Sequence, residues 1–437
     1  MRTKTTIAPF EGTGLLLGRE ARERFTQPVG FMPAVWQGPS AVNLGAPIWD
    51  RSDGHVAVFA PTGAGKSRNL LVPILLSTTD SAIVLDIKGE LARITSRFRE
   101  QMGQEVHIVD PWQCVSESGA SFNPLDTVDE FSDSLSDDLY WLAGQLFDGP
   151  SLRDPYWDGR GQCVNSGLMV HALTTPGVAD RSLAGVWSLA HSDDMEYELA
   201  KLLDSHPDMH PYARAQIAAL LSLSANETRS CVVSTARQHL RLFASESVRR
   251  AVSTTTLNLT ALREGRPQTI YFVVPPDKLA SHGALLRLWL SSLMSVMTRR
   301  AKAPAAPTLL LLDEVAQLGR MNEIIQAVTL MRGYGLRCML MLQSYAQLRA
   351  LYPTEHEVLI ENCGTIATFG HTSLSMSRQI ASLLGDVSAE ELFAMGSDQI
   401  AIRRIKQTTS IATRIDYLQD TEFAGRYDPD YRYRSQL

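Results

Sequence analysis

Short unbroken apolar runs recur in two stretches of this chain and are missing between them. Strands are expected over 56–59, 82–86 and 106–110, and again over 269–274, 309–313, 338–342, 365–369 and 399–405. The segments between them carry helical spacing, and strands alternating with helices argue for a parallel sheet. A run apolar at every position suits a strand covered on both faces. From about Asp126 to Asn226 such runs vanish. There the apolar positions over 135–146, 164–174 and 212–223 recur at helical spacing, punctuated by Asp154-Pro155 and Thr175-Pro176-Gly177. Residues 1–50 are rich in Gly, Pro and charge and read as an irregular lead-in with one or two short strands, one of them near 14–17. The expected fold is therefore α/β, with a mostly parallel central sheet split in sequence. Its parts are 51–126 and 229–437, and an all-α domain is inserted over 127–228.

The chemistry begins where the first of these strands ends. Ala60-Pro61-Thr62-Gly63-Ala64-Gly65-Lys66-Ser67 follows the strand and precedes an apolar helical segment. Strand, Gly-rich turn, Lys-Ser and helix together make a phosphate loop. Backbone N–H groups at the turn and the helix start aim at phosphate oxygens, and glycine lets the backbone approach them. Lys66 would reach the β- and γ-phosphates and the Ser67 hydroxyl would sit on Mg²⁺. The expected contacts with ATP run through Pro61, Thr62, Gly63, Ala64, Gly65, Lys66, Ser67 and Arg68. Ala60 stands where the strict pattern has Gly. An ordinary strand-to-helix turn is the bland alternative.

A second element sharpens the expectation. The run Thr308 to Leu312 ends in Asp313-Glu314. Two acids at the carboxyl end of a buried strand are costly unless they face a cation or water, and nucleotide sites lie at such ends. Asp313 is expected on Mg²⁺ through its water shell, and Glu314 as the base that polarises the attacking water. Gln343 ends the following strand and would face the same crevice, bonding the γ-phosphate or the water. Arg332 and Arg337 flank a Gly-rich turn before that strand, and either is a candidate arginine finger for a neighbouring subunit. Lys88, in Asp86-Ile87-Lys88-Gly89-Glu90, faces phosphate or simply pairs with Asp86. His107 reads as a packed histidine, and Met339 to Met341 as core filler. The Arg-Tyr tail through Tyr431-Arg432-Tyr433-Arg434 would stack nucleic acid or dock as a C-terminus.

Composition narrows the class. The 437 residues are 44% hydrophobic and 20% charged, an ordinary globular balance. The net charge of −6 rules out a global basic field, so any contact with nucleic acid must be local. Arg299-Arg300-Lys302 is one such candidate, with a solvated helix end as the simpler reading. Five scattered cysteines without a CxxC pair read as reduced thiols. No stretch approaches the roughly 20 apolar residues of a membrane span, and residues 1–40 show no signal-peptide pattern. A cytoplasmic location is expected.

Taken together these stretches resemble the coupling-protein ATPases of type IV secretion and bacterial conjugation. The resemblance covers roughly 50–425. It rests on the phosphate loop, Asp86-Ile87-Lys88-Gly89-Glu90, Asn123-Pro124-Leu125 and Asn226-Glu227-Thr228-Arg229-Ser230. It rests most on the block from Leu312-Asp313-Glu314 through Met331-Arg332-Gly333-Tyr334-Gly335, Gln343-Ser344 and Glu361-Asn362-Cys363-Gly364. It implies a RecA-like P-loop motor with an inserted all-α domain, assembled as a homo-hexamer. It implies Mg²⁺-dependent ATP hydrolysis coupled to moving single- or double-stranded DNA, with relaxase or effector proteins and type IV secretion channel components as partners. On that pattern Arg332 takes the finger position and Gln343 the sensor position. Two departures stand out. Ile87 replaces a proline common in the family. Members commonly begin with transmembrane helices, so recruitment to the inner membrane is expected through a separate anchor. A chromosome translocase fits the helical insertion poorly. A docking receptor for relaxase or effector proteins with little ATP turnover fits the intact Lys66, Asp313, Glu314 and Gln343 poorly.

Overall fold

The computed structural model describes residue 10 and residues 13–21, 45–147, 155–224 and 226–430. Eleven strands form one sheet: β1 (Leu15–Glu20), β2 (Pro47–Asp50), β3 (His55–Phe59), β4 (Ser81–Asp86), β5 (Glu105–Val109), β6 (Gln268–Val273), β7 (Thr308–Leu312), β8 (Leu336–Leu342), β9 (Cys363–Thr368), β10 (Gln399–Arg404) and β11 (Ser410–Thr413). Their order is β2-β1-β11-β10-β9-β3-β8-β7-β4-β6-β5. From β9 to β5 every pairing is parallel. From β9 outward through β10, β11, β1 and β2 it is antiparallel. The mostly parallel α/β sheet expected from the apolar runs is present. The short strand β2 was not located and β11 was not foreseen, because four residues in an antiparallel pairing carry too little pattern to stand out.

The apolar runs earn their continuity by feeding two cores. Along β3, Ala57 and Phe59 pack on one face while Val56 and Val58 pack on the other. Along β7, Leu310 and Leu312 oppose Leu309 and Leu311, and along β8 Cys338 and Leu340 oppose Met339 and Met341. Each strand is buried on both sides, as a period of two requires. The helices Val72–Ser77 and Glu90–Gln101 cover one face. The long helix Pro276–Thr298 covers the other, with Trp289 stacked on Phe272 at 5.1 Å and its indole N–H donating to the Phe122 carbonyl at 3.1 Å.

Between β5 and β6 the described chain is helical. The helix Pro155–Thr174 packs against Leu135–Gly144, Pro211–Leu221 and Asn226–His239. Helices continue past the expected boundary, through Arg241–Ala244, Glu246–Ala251 and Leu259–Glu264. They are short and polar, so they offered little apolar period to read. The two ends of the block are tied together: Phe122 donates to the Ala251 carbonyl at 2.7 Å, and Thr256 to the Ser121 carbonyl at 2.9 Å. We propose that the inserted domain spans 121–256, on the strength of that closure. Among the described residues no helix is long and apolar enough to cross a membrane.

His171, inside the helix Pro155–Thr174, is buried, with Nδ1 on the Thr175 hydroxyl at 2.8 Å. Burial, helped by nearby His206, pulls its pKa from the ordinary 6.5 down to about 4. In acid the unfolded chain takes a proton that the folded chain refuses, so this site costs stability as pH falls from 6.5 toward 4. Replacing His171 by Phe removes up to one proton from that dependence. Denaturant unfolding at pH 5 and pH 7 is expected to show a smaller acid loss in the variant than in the wild type.

Candidate nucleotide site

The site forms where three neighbouring parallel strands end on one edge. β8 lies between β3 and β7, with Val58 opposite Met341 and Leu311 opposite Met339. The phosphate loop leaves β3, Asp313-Glu314 leaves β7 and Gln343 leaves β8. Strands about 4.8 Å apart therefore set the loop and the acids about 10 Å apart, with Gln343 between them.

The loop turns twice through positive φ, at Gly63 (79°) and Gly65 (86°), conformations that side chains with a Cβ rarely adopt. A Cβ on Gly65 would meet Asn69 Oδ1 at 2.4 Å and Arg414 Nη2 at 2.7 Å. Ser67 opens a π-helical turn, Ser67–Leu71, that runs into the helix Val72–Ser77. Leu70 and Leu71 are buried, which pins the helix start against the sheet. Pro61 and Ala64 are partly covered, and Thr62 and Gly63 are exposed.

Lys66 is the charged centre. Its side chain is 11% exposed and its Nζ lies 3.6 Å from Glu314 Oε2, beyond hydrogen-bond distance. That ammonium is buried and has no hydrogen-bond partner among the described residues. Glu314 sits at φ 78°, a left-handed conformation costly for a residue with a side chain. This turn swings its carboxylate back over β8, where the Gln343 amide donates to Oε1 at 2.6 Å. Burial pushes the neighbouring Asp313 carboxyl up to about 6. Glu314 and Glu90 push the same way, and Lys66 and Lys88 oppose. Lys88 is exposed but within electrostatic reach of Asp313. It does not pair with Asp86. That carboxylate is buried and accepts from the Glu90 and Ala92 N–H groups at 3.1 and 2.8 Å, capping the next helix.

The structure thus brings Lys66, Ser67, Asp313, Glu314 and Gln343 to one edge. Arg68 lines the same cleft but is turned to Asp416, at 2.8 Å through Nε and 2.6 Å through Nη2. Arg332 is not brought in. It lies in the turn Met331–Tyr334 before β8, at the opposite edge of the sheet, exposed and paired with Asp53 at 2.5 Å. The seven residues of β8 keep it roughly 20 Å from the phosphate loop. Arg337 is excluded as a finger: it is buried, on Asp50 at 2.7 Å. Of Arg299-Arg300-Lys302, Arg299 and Lys302 are exposed at the helix end, while Arg300 is not solvated. Arg300 is buried and bonds the Leu262 and Tyr334 carbonyls, and Arg299 bonds the Thr127 carbonyl and Asp138. The tail tyrosines and arginines at 431–434 lie outside the described residues.

Beside the loop a cleft of about 890 Å³ opens, bounded by Gly63, Asn69, Asp398, Gln399 and Arg414. Asn69 and Arg414 were missed in the sequence. Asn69 lies one turn past Gly65, with its N–H on the Gly65 carbonyl, and was legible as a loop-facing polar residue. Arg414 follows the unforeseen strand β11 and had no signal.

Comparison with known proteins identifies the class. The family described as "Type IV secretory system Conjugative DNA transfer" matches residues 21–399, and this chain belongs to it. Among its relatives, Conjugal transfer protein TraG of Escherichia coli is 26% identical over 352 residues, 76% of this chain and 55% of its own length. Protein VirD4 of Rhizobium radiobacter is 27% identical over 337 residues, 72% of this chain and 46% of its own. The chain spans about half the length of these relatives. The fold is that of the plasmid coupling protein TrwB, solved in complex with ADP and Mg²⁺: TM-score 0.65 at 16% identity, over 85% of this chain and 88% of that one. VirB4 of Thermoanaerobacter pseudethanolicus is more distant, at TM-score 0.51 and 13% identity over 93% of this chain and 98% of that one.

Proposed function

We propose that this chain is an ATP-hydrolysing motor that moves DNA, and protein attached to it, toward a type IV secretion channel. One observation carries the reading: a buried ammonium, that of Lys66, has no hydrogen-bond partner beside a glycine turn and a helix start. A desolvated cation with free donors fits an anion, and a Gly-rich turn followed by a helix N-terminus suits phosphate. The donor set also fits Mg²⁺. Among the described residues no three His, Cys, Asp or Glu side chains group to hold a metal. The cation would take Asp313, the Ser67 hydroxyl, water and nucleotide oxygens, as a hard octahedral ion does.

Pro61 through Ser67 would cradle the phosphates, with Arg68 beside them. Bound Mg²⁺ would neutralise phosphate charge and fix the oxygens in line. Glu314 would accept the proton of the attacking water, and the Gln343 amide holds that carboxylate in place. Arg332 faces away from its own site, so its role is in trans: in a ring, proposed as a homo-hexamer, it would stabilise charge at a neighbour's phosphate. DNA contact would be mainly to phosphates and therefore salt-sensitive. Relaxase or effector proteins and channel components are the proposed partners, with recruitment to the inner membrane.

Phosphate release with Mg·ATP tests the reading. Glu314→Gln is expected to keep nucleotide affinity and lose about 10²–10⁴ in turnover, and Lys66→Ala to lose nucleotide affinity itself. DNA is expected to raise wild-type turnover. If neither single- nor double-stranded DNA does so, and Lys66→Ala still docks protein substrates, a receptor with little turnover replaces the motor.

Mixing variants tests Arg332. Lys66→Ala and Arg332→Ala are each expected to be inactive alone. Mixed, they are expected to regain part of the turnover, because some interfaces then join an intact Lys66 to an intact Arg332. Absence of recovery contradicts the trans role.

A further inference from the structure

Three consecutive residues after β11 hold three residues of the phosphate loop and its first turn. Arg414 donates to the Ala64 carbonyl and to Asn69 Oδ1. Asn69 in turn donates to the Ile415 carbonyl at 2.7 Å, and Arg68 is paired with Asp416. The Arg414 guanidinium is itself fixed. Its Nη1 donates to the Ser397 carbonyl at 2.8 Å, and the group lies 4.3 Å over the Phe369 ring. Burial lowers its pKa only to about 10, so it stays cationic at neutral pH.

The contact with Ala64 has a geometric consequence. In a planar trans peptide the carbonyl and the following N–H point in opposite directions. Holding the Ala64 carbonyl toward Arg414 therefore turns the Gly65 N–H away from it. That N–H takes no acceptor among the described residues. The peptide is flanked by Gly65 at φ 86° and lies two residues from Gly63 at φ 79°. Glycine tolerates either sign of φ, so a peptide beside it flips at little steric cost unless something fixes it.

We infer that Arg414 is a positioning residue for the nucleotide: it fixes the Ala64–Gly65 peptide plane and so presets the Gly65 N–H for phosphate. It never touches the phosphate itself. A preset donor adds affinity because it need not be ordered on binding. Asn69 is the relay, since it accepts from Arg414 and donates to Ile415. The inference rests on the nucleotide-site reading above.

The test is calorimetric binding of ATP and ADP with Mg²⁺ to wild-type protein, Arg414→Gln and Arg414→Lys, beside nucleotide-free melting of each. Losing one hydrogen bond to a charged group corresponds to about a tenfold to hundredfold weaker Kd. Arg414→Gln is expected to lose that affinity for both nucleotides while its nucleotide-free melting temperature stays close to wild type. Arg414→Lys keeps the cation but cannot span Ala64, Asn69 and Ser397 together, so its loss is expected to be smaller. Should Arg414→Gln not fold, Arg414→Lys decides by the same two readings. Unchanged affinity overturns the inference. So does a loss of affinity matched by a collapse of nucleotide-free melting, which is the mark of a simple brace. Failure of wild-type protein to bind either nucleotide would instead overturn the nucleotide site.

Discussion

The organising constraint is the cost of burying the Lys66 ammonium. Taking a charge out of water costs several kcal/mol even after relaxation, and Glu314 at 3.6 Å returns only part of it without a hydrogen bond. Such an arrangement persists only if the surroundings hold it in place. The pinned helix start, the two positive-φ glycines and the strained Glu314 backbone all serve that purpose. The same features leave the site unbalanced toward an anion on one side and a cation on the other. Asp313, pushed up to about 6 by burial and by its acidic neighbours, is the second half of that imbalance.

Sheet order turns these charges into a site. With β8 inserted between β3 and β7, Gln343 lies between the phosphate loop and the acids, and its amide bonds Glu314. The same strand puts Arg332 at its other end. One element thus carries Gln343 into the pocket and Arg332 away from it. Movement of β8 against its flanking strands would be felt at both ends. The antiparallel extension through β10 and β11 adds a third contact to the pocket, through Arg414.

The central sheet was legible because its strands are buried on both faces, and a fully apolar run of five or six residues admits few other readings. Asp313-Glu314 and Gln343 were legible because they directly follow such runs, and Lys66 because a glycine-rich turn leads from one. What escaped the sequence was what depends on partners far along the chain. Arg414 meets Asn69 only because β11 joins the sheet on the side of the phosphate loop, and a four-residue strand leaves no pattern. Arg299 and Arg300 look like a basic patch until their carbonyl partners at Thr127, Leu262 and Tyr334 are seen. The later helices of the block left little trace because they are too short to show a period.

The most direct measurement is a crystal structure with Mg²⁺ and a non-hydrolysable ATP analogue. Lys66 Nζ is expected to leave its 3.6 Å approach to Glu314 and come within hydrogen-bond distance of phosphate oxygens, with the metal held by Ser67 and Asp313. Nucleotide bound elsewhere, or Lys66 still facing Glu314 with the glycine turn empty, would contradict it.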